Sequence, residues 1–222
     1  MPKTLALIHT APVLIPVFSD LAARILGNTR VFHIADESLL KNTIAVGRIE
    51  KGTIRRVCRY IESAREAGAD AVLVTCSSIG AAIPVARQLF DFPVLRVDER
   101  MAETAVRAAG PIGVLATLPT TLEPTIALIR DAAARLGRSP EIVSSLCEGA
   151  FAAVSAGDTA THDRIVTAGL ETLAASCGVV VLAQASMARV ADALDPAPRR
   201  APILSSPRLA MEQVRDVLES LP

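Results

Sequence analysis

Apolar residues along this chain fall into short unbroken runs, separated by longer stretches with a helical period. Leu5–His9, Arg30–Ala35, Ala71–Thr75 and Pro93–Val97 have the length and composition of strands. Between them, Pro12–Leu26, Arg48–Ala67, Ile79–Phe90 and Glu99–Ala109 repeat apolar positions every three or four residues, as at Ile54, Val57, Ile61 and Ala64. Gly68 stands where a helix C-terminus calls for glycine. Gly110-Pro111 then punctuates the chain and the pattern begins again. Strands are predicted at Ile112–Ala116, Glu141–Ser145, Val179–Ala183 and Pro202–Leu204. Helices are predicted at Leu122–Leu136, His162–Ala175, Met187–Leu194 and Pro207–Leu221. Strand–helix alternation of this kind predicts an α/β fold of parallel sheets flanked by helices.

The second half also echoes the first residue by residue. LIHTAP (7–12) matches VLATLP (114–119), AVLVTCSSI (71–79) matches VVVLAQASM (179–187), and PVLRVDERMAETA (93–105) matches PILSSPRLAMEQV (202–214). The offsets are 107, 108 and 109 residues, so three matches run in order at nearly constant spacing. Duplication explains this better than chance. It predicts two pseudo-symmetric lobes, 1–109 and 110–206, with the last helix, 207–222, packing back on the first.

Parallel α/β sheets bind ligands beyond the carboxyl ends of their strands. Those positions hold His9-Thr10, Asp36-Glu37 and Thr75-Cys76-Ser77-Ser78 in the first half. In the second they hold Thr117 with Thr120-Thr121, Cys147-Glu148 and Gln184-Ala185-Ser186. If the lobes face each other, these loops line a cleft rich in hydroxyls and helix N-termini, a setting for a carboxylate.

Composition narrows the classes. Half of the 222 residues are hydrophobic, aromatics are scarce and Trp is absent, so Ala, Val, Leu and Ile must fill the core. Lys plus Arg and Asp plus Glu both number 23, which gives no reason to expect nucleic acid or an anionic membrane as partner. Arg199-Arg200 reads as a solvated loop. Four cysteines without CxxC spacing read as free thiols in a reducing compartment, and no Cys/His cluster suggests a metal. No apolar run approaches the roughly 18 residues of a membrane span. The apolar start is interrupted by His9, Pro12 and Pro16, which argues against a cleaved leader. GxGxxG, P-loop and HExxH motifs are absent, so neither nucleotide nor metal cofactor is implied. The expected setting is cytoplasmic.

The paired lobes, VTCSS after a central strand and GVLATLPTT opening the second half, resemble the aspartate/glutamate/hydantoin racemase superfamily, to which maleate isomerase and arylmalonate decarboxylase are related. The resemblance spans the whole chain. It implies a cofactor-independent enzyme with its site in the interlobe cleft, acting on a small carboxylic acid and plausibly a homo-oligomer. Racemases of that kind use two facing cysteines, one removing the α-proton and the other supplying a proton to the opposite face. Cys76 matches the first, and a helix N-terminus with local hydroxyls is expected to favour its thiolate. Thr10, Ser77, Thr117, Thr120, Thr121 and Ser186 match positions that bind the substrate carboxylate, and His9 and Ser78 lie beside them. The second cysteine position holds Gln184, and a carboxamide exchanges no proton usefully near neutral pH.

Three readings follow. Cys76 works alone, as nucleophile or single acid/base, with Gln184 donating a hydrogen bond to an enolate or oxyanion. Isomerisation of a small acid leads within this reading, with decarboxylation of a malonate-like acid as its alternative. Or a second base is relocated to Cys147, Glu148, Asp36, Glu37 or His9. Or the protein binds a carboxylate without reacting. Bland roles compete for several residues. Cys58 and Cys177 are core thiols on this pattern. Thr120, Thr121 and Ser78 suit helix N-caps, His162 suits an exposed first turn, and Glu103 and Glu212 suit solvated helix faces.

Overall fold

The computed structural model describes residues 2–193 and 201–222. Arg199-Arg200 and the end of the helix expected to reach Leu194 lie outside the described residues. Two four-stranded sheets, all parallel, are flanked by helices. Met1–Val97 and Pro207–Pro222 pack as one unit, and Asp98–Ser206 as another.

The first sheet has the order β2-β1-β3-β4, with β1 Thr4–His9, β2 Arg30–Ala35, β3 Ala71–Val74 and β4 Val94–Arg96. Its central strands are buried on both faces, which is why they read as unbroken apolar runs. Strand periodicity sorts them between two cores. Ala6, Ile8, Val72, Val74 and Val94 face α2 (Glu37–Val46), α3 (Lys51–Glu66) and α4 (Ala82–Leu89) through Leu39, Val57, Ile61 and Ile83. Leu5, Leu7, Ala71, Leu73 and Leu95 face α1 (Ile15–Ile25) and the C-terminal helix Ser206–Ser220 through Phe18, Met211, Val214 and Leu218. Burying a Leu or Phe side chain contributes about 1.5–3 kcal/mol, so this alternation fixes the register of β1 and β3.

The second sheet repeats the order as β6-β5-β7-β8, with β5 Ile112–Ala116, β6 Ile142–Leu146, β7 Val179–Leu182 and β8 Ile203–Ser205. One core joins Leu115, Val180 and Leu182 to α7 (Ala150–Ser155), α8 (Thr159–Ser176) and α9 (Ala188–Ala193). The helices α5 (Glu99–Arg107) and α6 (Pro119–Arg135) pack on each other and against β7 and β5 respectively. By these contacts α5 counts with the second unit. The C-terminal helix is α10.

Three local differences from the sequence expectation have physical causes. Segment 37–46 is helical although its apolar residues form no clear stripe. Asp36 caps it by accepting from the Ser38 N–H at 3.0 Å, and Gly47 ends it in the left-handed region at φ 76°. The helix expected from Leu122 begins at Pro119, whose fixed φ and missing N–H suit a first helical position. His162 is not on an exposed first turn. Because α8 starts at Thr159, His162 faces inward at 1% exposure, and its Nδ1 meets Asp163 Oδ1 at 2.9 Å. Among the described residues no helix is long and apolar enough to cross a membrane, and no three His, Cys, Asp or Glu side chains gather as a metal site.

Candidate active site

In each unit the two central strands end side by side, and the chemistry-bearing residues follow directly. In the first unit Ile8 of β1 pairs with Val74 of β3. The Thr75 N–H donates to Ile8 O at 3.0 Å, and the Thr75 hydroxyl reaches the same carbonyl at 3.1 Å. Cys76 comes next in extended backbone (φ −127°, ψ 118°), at the N-cap of a 3-10 turn spanning Ser77–Ile79. Such a turn leaves its first N–H groups without carbonyl partners, and here they turn back to the sulfur. The Cys76 Sγ is approached by the Thr10 hydroxyl, the Ser78 and Ile79 N–H groups and the Ser78 hydroxyl.

These donors favour a thiolate, yet burial dominates and pushes the Cys76 thiol up from its ordinary value. The sequence reading expected the turn and hydroxyls to favour the ionised form. Burial thus favours the protonated thiol, and the surrounding donors are oriented for its anion. Ser77 and Ser78 are buried beside it, as is Thr10.

The second unit repeats the backbone and changes the chemistry. Gln184 follows β7 as the N-cap of another 3-10 turn, Ala185–Met187, with φ −133° and ψ 137°. Its carboxamide closes on Thr117, the residue after β5. The Thr117 N–H donates to Oε1 at 2.6 Å, and Nε2 donates to the Thr117 hydroxyl at 2.7 Å. A backbone N–H can only donate, which fixes which end of the amide is oxygen. The Gln184 bond to backbone lies within its own unit.

Thr120 and Thr121 lie in the first turn of α6, and neither is its N-cap, which is Leu118. The Thr120 hydroxyl is buried and has no partner among the described residues. Leaving such a group unsatisfied costs about 1–3 kcal/mol. Ser186 is exposed on its turn.

The profile of the Asp/Glu/Hydantoin racemase family matches residues 14–214. The chain belongs to that family. No curated protein matches it by sequence. In fold, this racemase-family chain is similar to the allantoin racemase of Klebsiella pneumoniae, with TM-score 0.73 and 16% identity over 98% of this chain and 88% of that one. It is also similar to the aspartate racemase of Picrophilus torridus, with TM-score 0.72 and 13% identity over 96% and 94% of the two chains. A glutamate racemase isoform of Bacillus anthracis gives 0.71 and 18% over 98% and 82%.

Against this racemase-family frame the remaining candidates sort by their contacts. His9 is fully buried with both ring nitrogens engaged: Nδ1 lies 2.8 Å from Thr75 Oγ1, and Nε2 lies 2.9 Å from His33 Nδ1. Burial first, and the His33 charge second, pull its pKa from 6.5 to about 4. Asp36 accepts from Ser38, from the Tyr60 hydroxyl at 2.7 Å and from Arg56. Burial works upward on its carboxyl, but the bonds from Ser38 and Tyr60 and the Arg56 charge hold it below the usual range. Glu37 is exposed and pairs with Lys41 at 3.4 Å. Cys147 is buried in the core of its unit, its Sγ 3.7 Å from Ile165 O, and burial pushes that thiol up. Glu148 is exposed. His9, Asp36 and Cys147 are each shifted away from neutrality.

Sequence reasoning missed one neighbour of the Cys76 turn. Arg96 ends β4 and is buried, with its guanidinium against Gly80, the residue that closes the Cys76 turn. A Cβ on Gly80 would come within 2.3 Å of Arg96 Nε, so a larger residue there needs the guanidinium or the turn to shift. A charge directly after Leu95, at a strand end, is the signal that marks it.

Proposed function

We propose that the protein is a racemase-like isomerase acting on a small carboxylic acid, with Cys76 as its single proton-transferring group. The observation that carries this reading is the convergence of the Thr10 hydroxyl and the Ser78 and Ile79 N–H groups on one thiol just beyond a central strand. A thiol so placed can lose its proton to donors already oriented, with little reorganisation. Family membership supports carbon–acid chemistry, and Gln184 at the repeat-equivalent turn supports one thiol rather than two. The orphaned Thr120 hydroxyl supports a carboxylate ligand, which would supply the missing acceptor. The proposal includes no cofactor, a reducing compartment such as the cytoplasm, and a homo-oligomer.

A second reading has its own support. Burial that raises a thiol's pKa suits it as a proton donor, and decarboxylation of a malonate-like acid needs one donor to quench the carbanion left as CO₂ departs. One experiment separates the readings: incubation with a panel of α-substituted and malonate-like acids in deuterated water. Isomerisation places deuterium at the reacting carbon without CO₂, decarboxylation releases CO₂ with one deuterium incorporated, and both vanish in Cys76→Ala. Saturable binding with neither reaction would leave a carboxylate-binding protein.

A further inference from the structure

Directly beneath the Thr10–Cys76 contact runs a chain of side chains that ends at the surface. The Thr75 hydroxyl meets His9 Nδ1 at 2.8 Å, His9 Nε2 meets His33 Nδ1 at 2.9 Å, and His33 Nε2 meets the Ser19 hydroxyl at 3.0 Å. The two imidazoles stack with centroids 5.2 Å apart, and Phe18 covers His9 at 5.6 Å. His9 is wholly buried, His33 is partly buried and Ser19 is exposed. Each atom in the series can donate or accept, so the bonds can all point inward or all outward. With Thr75 donating to Ile8 O, His9 carries its proton on Nδ1 and accepts from His33, which then has room for a second proton on Nε2 toward Ser19.

We infer that His33, His9 and Thr75 form a positioning network for Cys76, in which His9 locks the ends of β1 and β3 together and His33 is the member that takes up a proton from solvent. Two rungs join those strand ends: His9 to Thr75, then Thr10 to Cys76 one residue further on. Losing the first lets the second drift, and with it the donors around the sulfur. The inference rests on Cys76 being the reactive group proposed above. Other charges around the pair are few. β1 and β3 carry none, and β2 has Arg30 at its start. On α1, Asp20 and Arg24 pair at the surface. On α10, Arg208 pairs with Glu212 and Arg215 with Asp216, and Glu219 is exposed. His33 thus acts electrostatically on His9, second to burial, while burial lowers His33 itself.

The test reads the thiol, so it stands whether or not a substrate is found. Cys76 alkylation by iodoacetamide is followed against pH by peptide mass spectrometry, beside thermal unfolding. Asn at position 9 places a polar atom near Nδ1, and Gln places one near Nε2. His9→Asn is expected to keep the Cys76 profile within about twofold, while His9→Gln and Thr75→Val shift its rate about fivefold or more. Thr75→Ser, which retains the hydroxyl, restores it. In nitrogen-detected NMR, His33 is expected to protonate before His9 as the pH falls. Variants that lose thermal stability yet keep superimposable Cys76 profiles would overturn the inference, as would a His9 ring that protonates above pH 6. Should the His9 variants fail to fold, the Thr75→Val and Thr75→Ser pair decides alone.

Discussion

Gln184 and Thr117 hold each other by two hydrogen bonds, Oε1 to the Thr117 N–H at 2.6 Å and Nε2 to its hydroxyl at 2.7 Å. The pair ties the end of β7 to the end of β5. The first unit joins the matching strand ends, at Cys76 and Thr10, through a thiol and a hydroxyl. One backbone plan thus carries a thiol in one unit and a hydrogen-bonded carboxamide in the other.

The clasp makes separable predictions for two variants. Gln184→Ala leaves the Thr117 N–H without its acceptor and is expected to cost about 1–2 kcal/mol in urea unfolding. Gln184→Glu keeps an oxygen for that N–H, and the Thr117 hydroxyl can rotate to donate. It is expected to stay within about 1 kcal/mol of the parent while losing the amide donor. If Gln184→Glu retains full turnover, the carboxamide is a strut and not a ligand to the reacting acid.

The strands and most of the helices were legible because central strands covered on both faces must be apolar, and because the halves repeat. What escaped was set by single contacts. The helix after Asp36 depends on one capping carboxylate, and the inward turn of His162 depends on α8 beginning at Thr159. Cys76 was legible as a thiol beyond a strand, but its ionisation was not. Hydroxyls and a turn can be read from TCSS, whereas burial is a property of the packed molecule. His9 was legible as a residue at a strand end. Its partner His33, 24 positions away, became visible only through the parallel pairing of β1 with β2.

Gly80 faces Arg96 so closely that an added Cβ would lie 2.3 Å from Nε and 2.4 Å from Cζ. Its φ of −59° is ordinary, so Gly80→Ala introduces crowding and no backbone strain. The guanidinium or the Cys76 turn must shift. A loss of about 1–3 kcal/mol is expected, with an altered Cys76 alkylation rate. An unchanged midpoint and rate would show that Arg96 moves aside without cost.

The buried His9 makes stability depend on pH in a defined window. Its pKa falls from 6.5 to about 4 on folding, so between those values the unfolded chain binds a proton that the folded chain refuses. Stability therefore rises with pH across this range and is lost as pH falls through it. His33 is shifted in the same direction and adds to the effect. The full His9 contribution is on the order of 3 kcal/mol. Urea unfolding at pH 4.5 and pH 7 measures it, and equal midpoints at the two would contradict the burial argument.

The Cys76 thiol is pushed up, so its alkylation rate should climb steadily through pH 9 without a plateau near neutrality. Cys58, Cys147 and Cys177 are buried and should react more slowly in the folded protein. A plateau reached by pH 7 would mean that the Thr10, Ser78 and Ile79 donors outweigh burial. That result would move the chemistry from a proton-donating thiol toward a resident thiolate.

Thr120 separates binding from stability most directly. Its hydroxyl is buried with no partner among the described residues, so the folded protein carries its desolvation without return. Thr120→Val keeps the shape and removes the polar atom. Stability should be unchanged or raised by up to about 1 kcal/mol, because an unsatisfied group is lost and not a bond. Affinity for a carboxylate ligand should fall about tenfold or more if that hydroxyl donates to it, as a hydrogen bond to a charged group is worth about 1.5–3 kcal/mol. Thermal unfolding and ligand titration on the same variant measure both. A fall in stability with unchanged affinity would show that the hydroxyl has a structural partner in solution, and would remove Thr120 from the carboxylate-binding set.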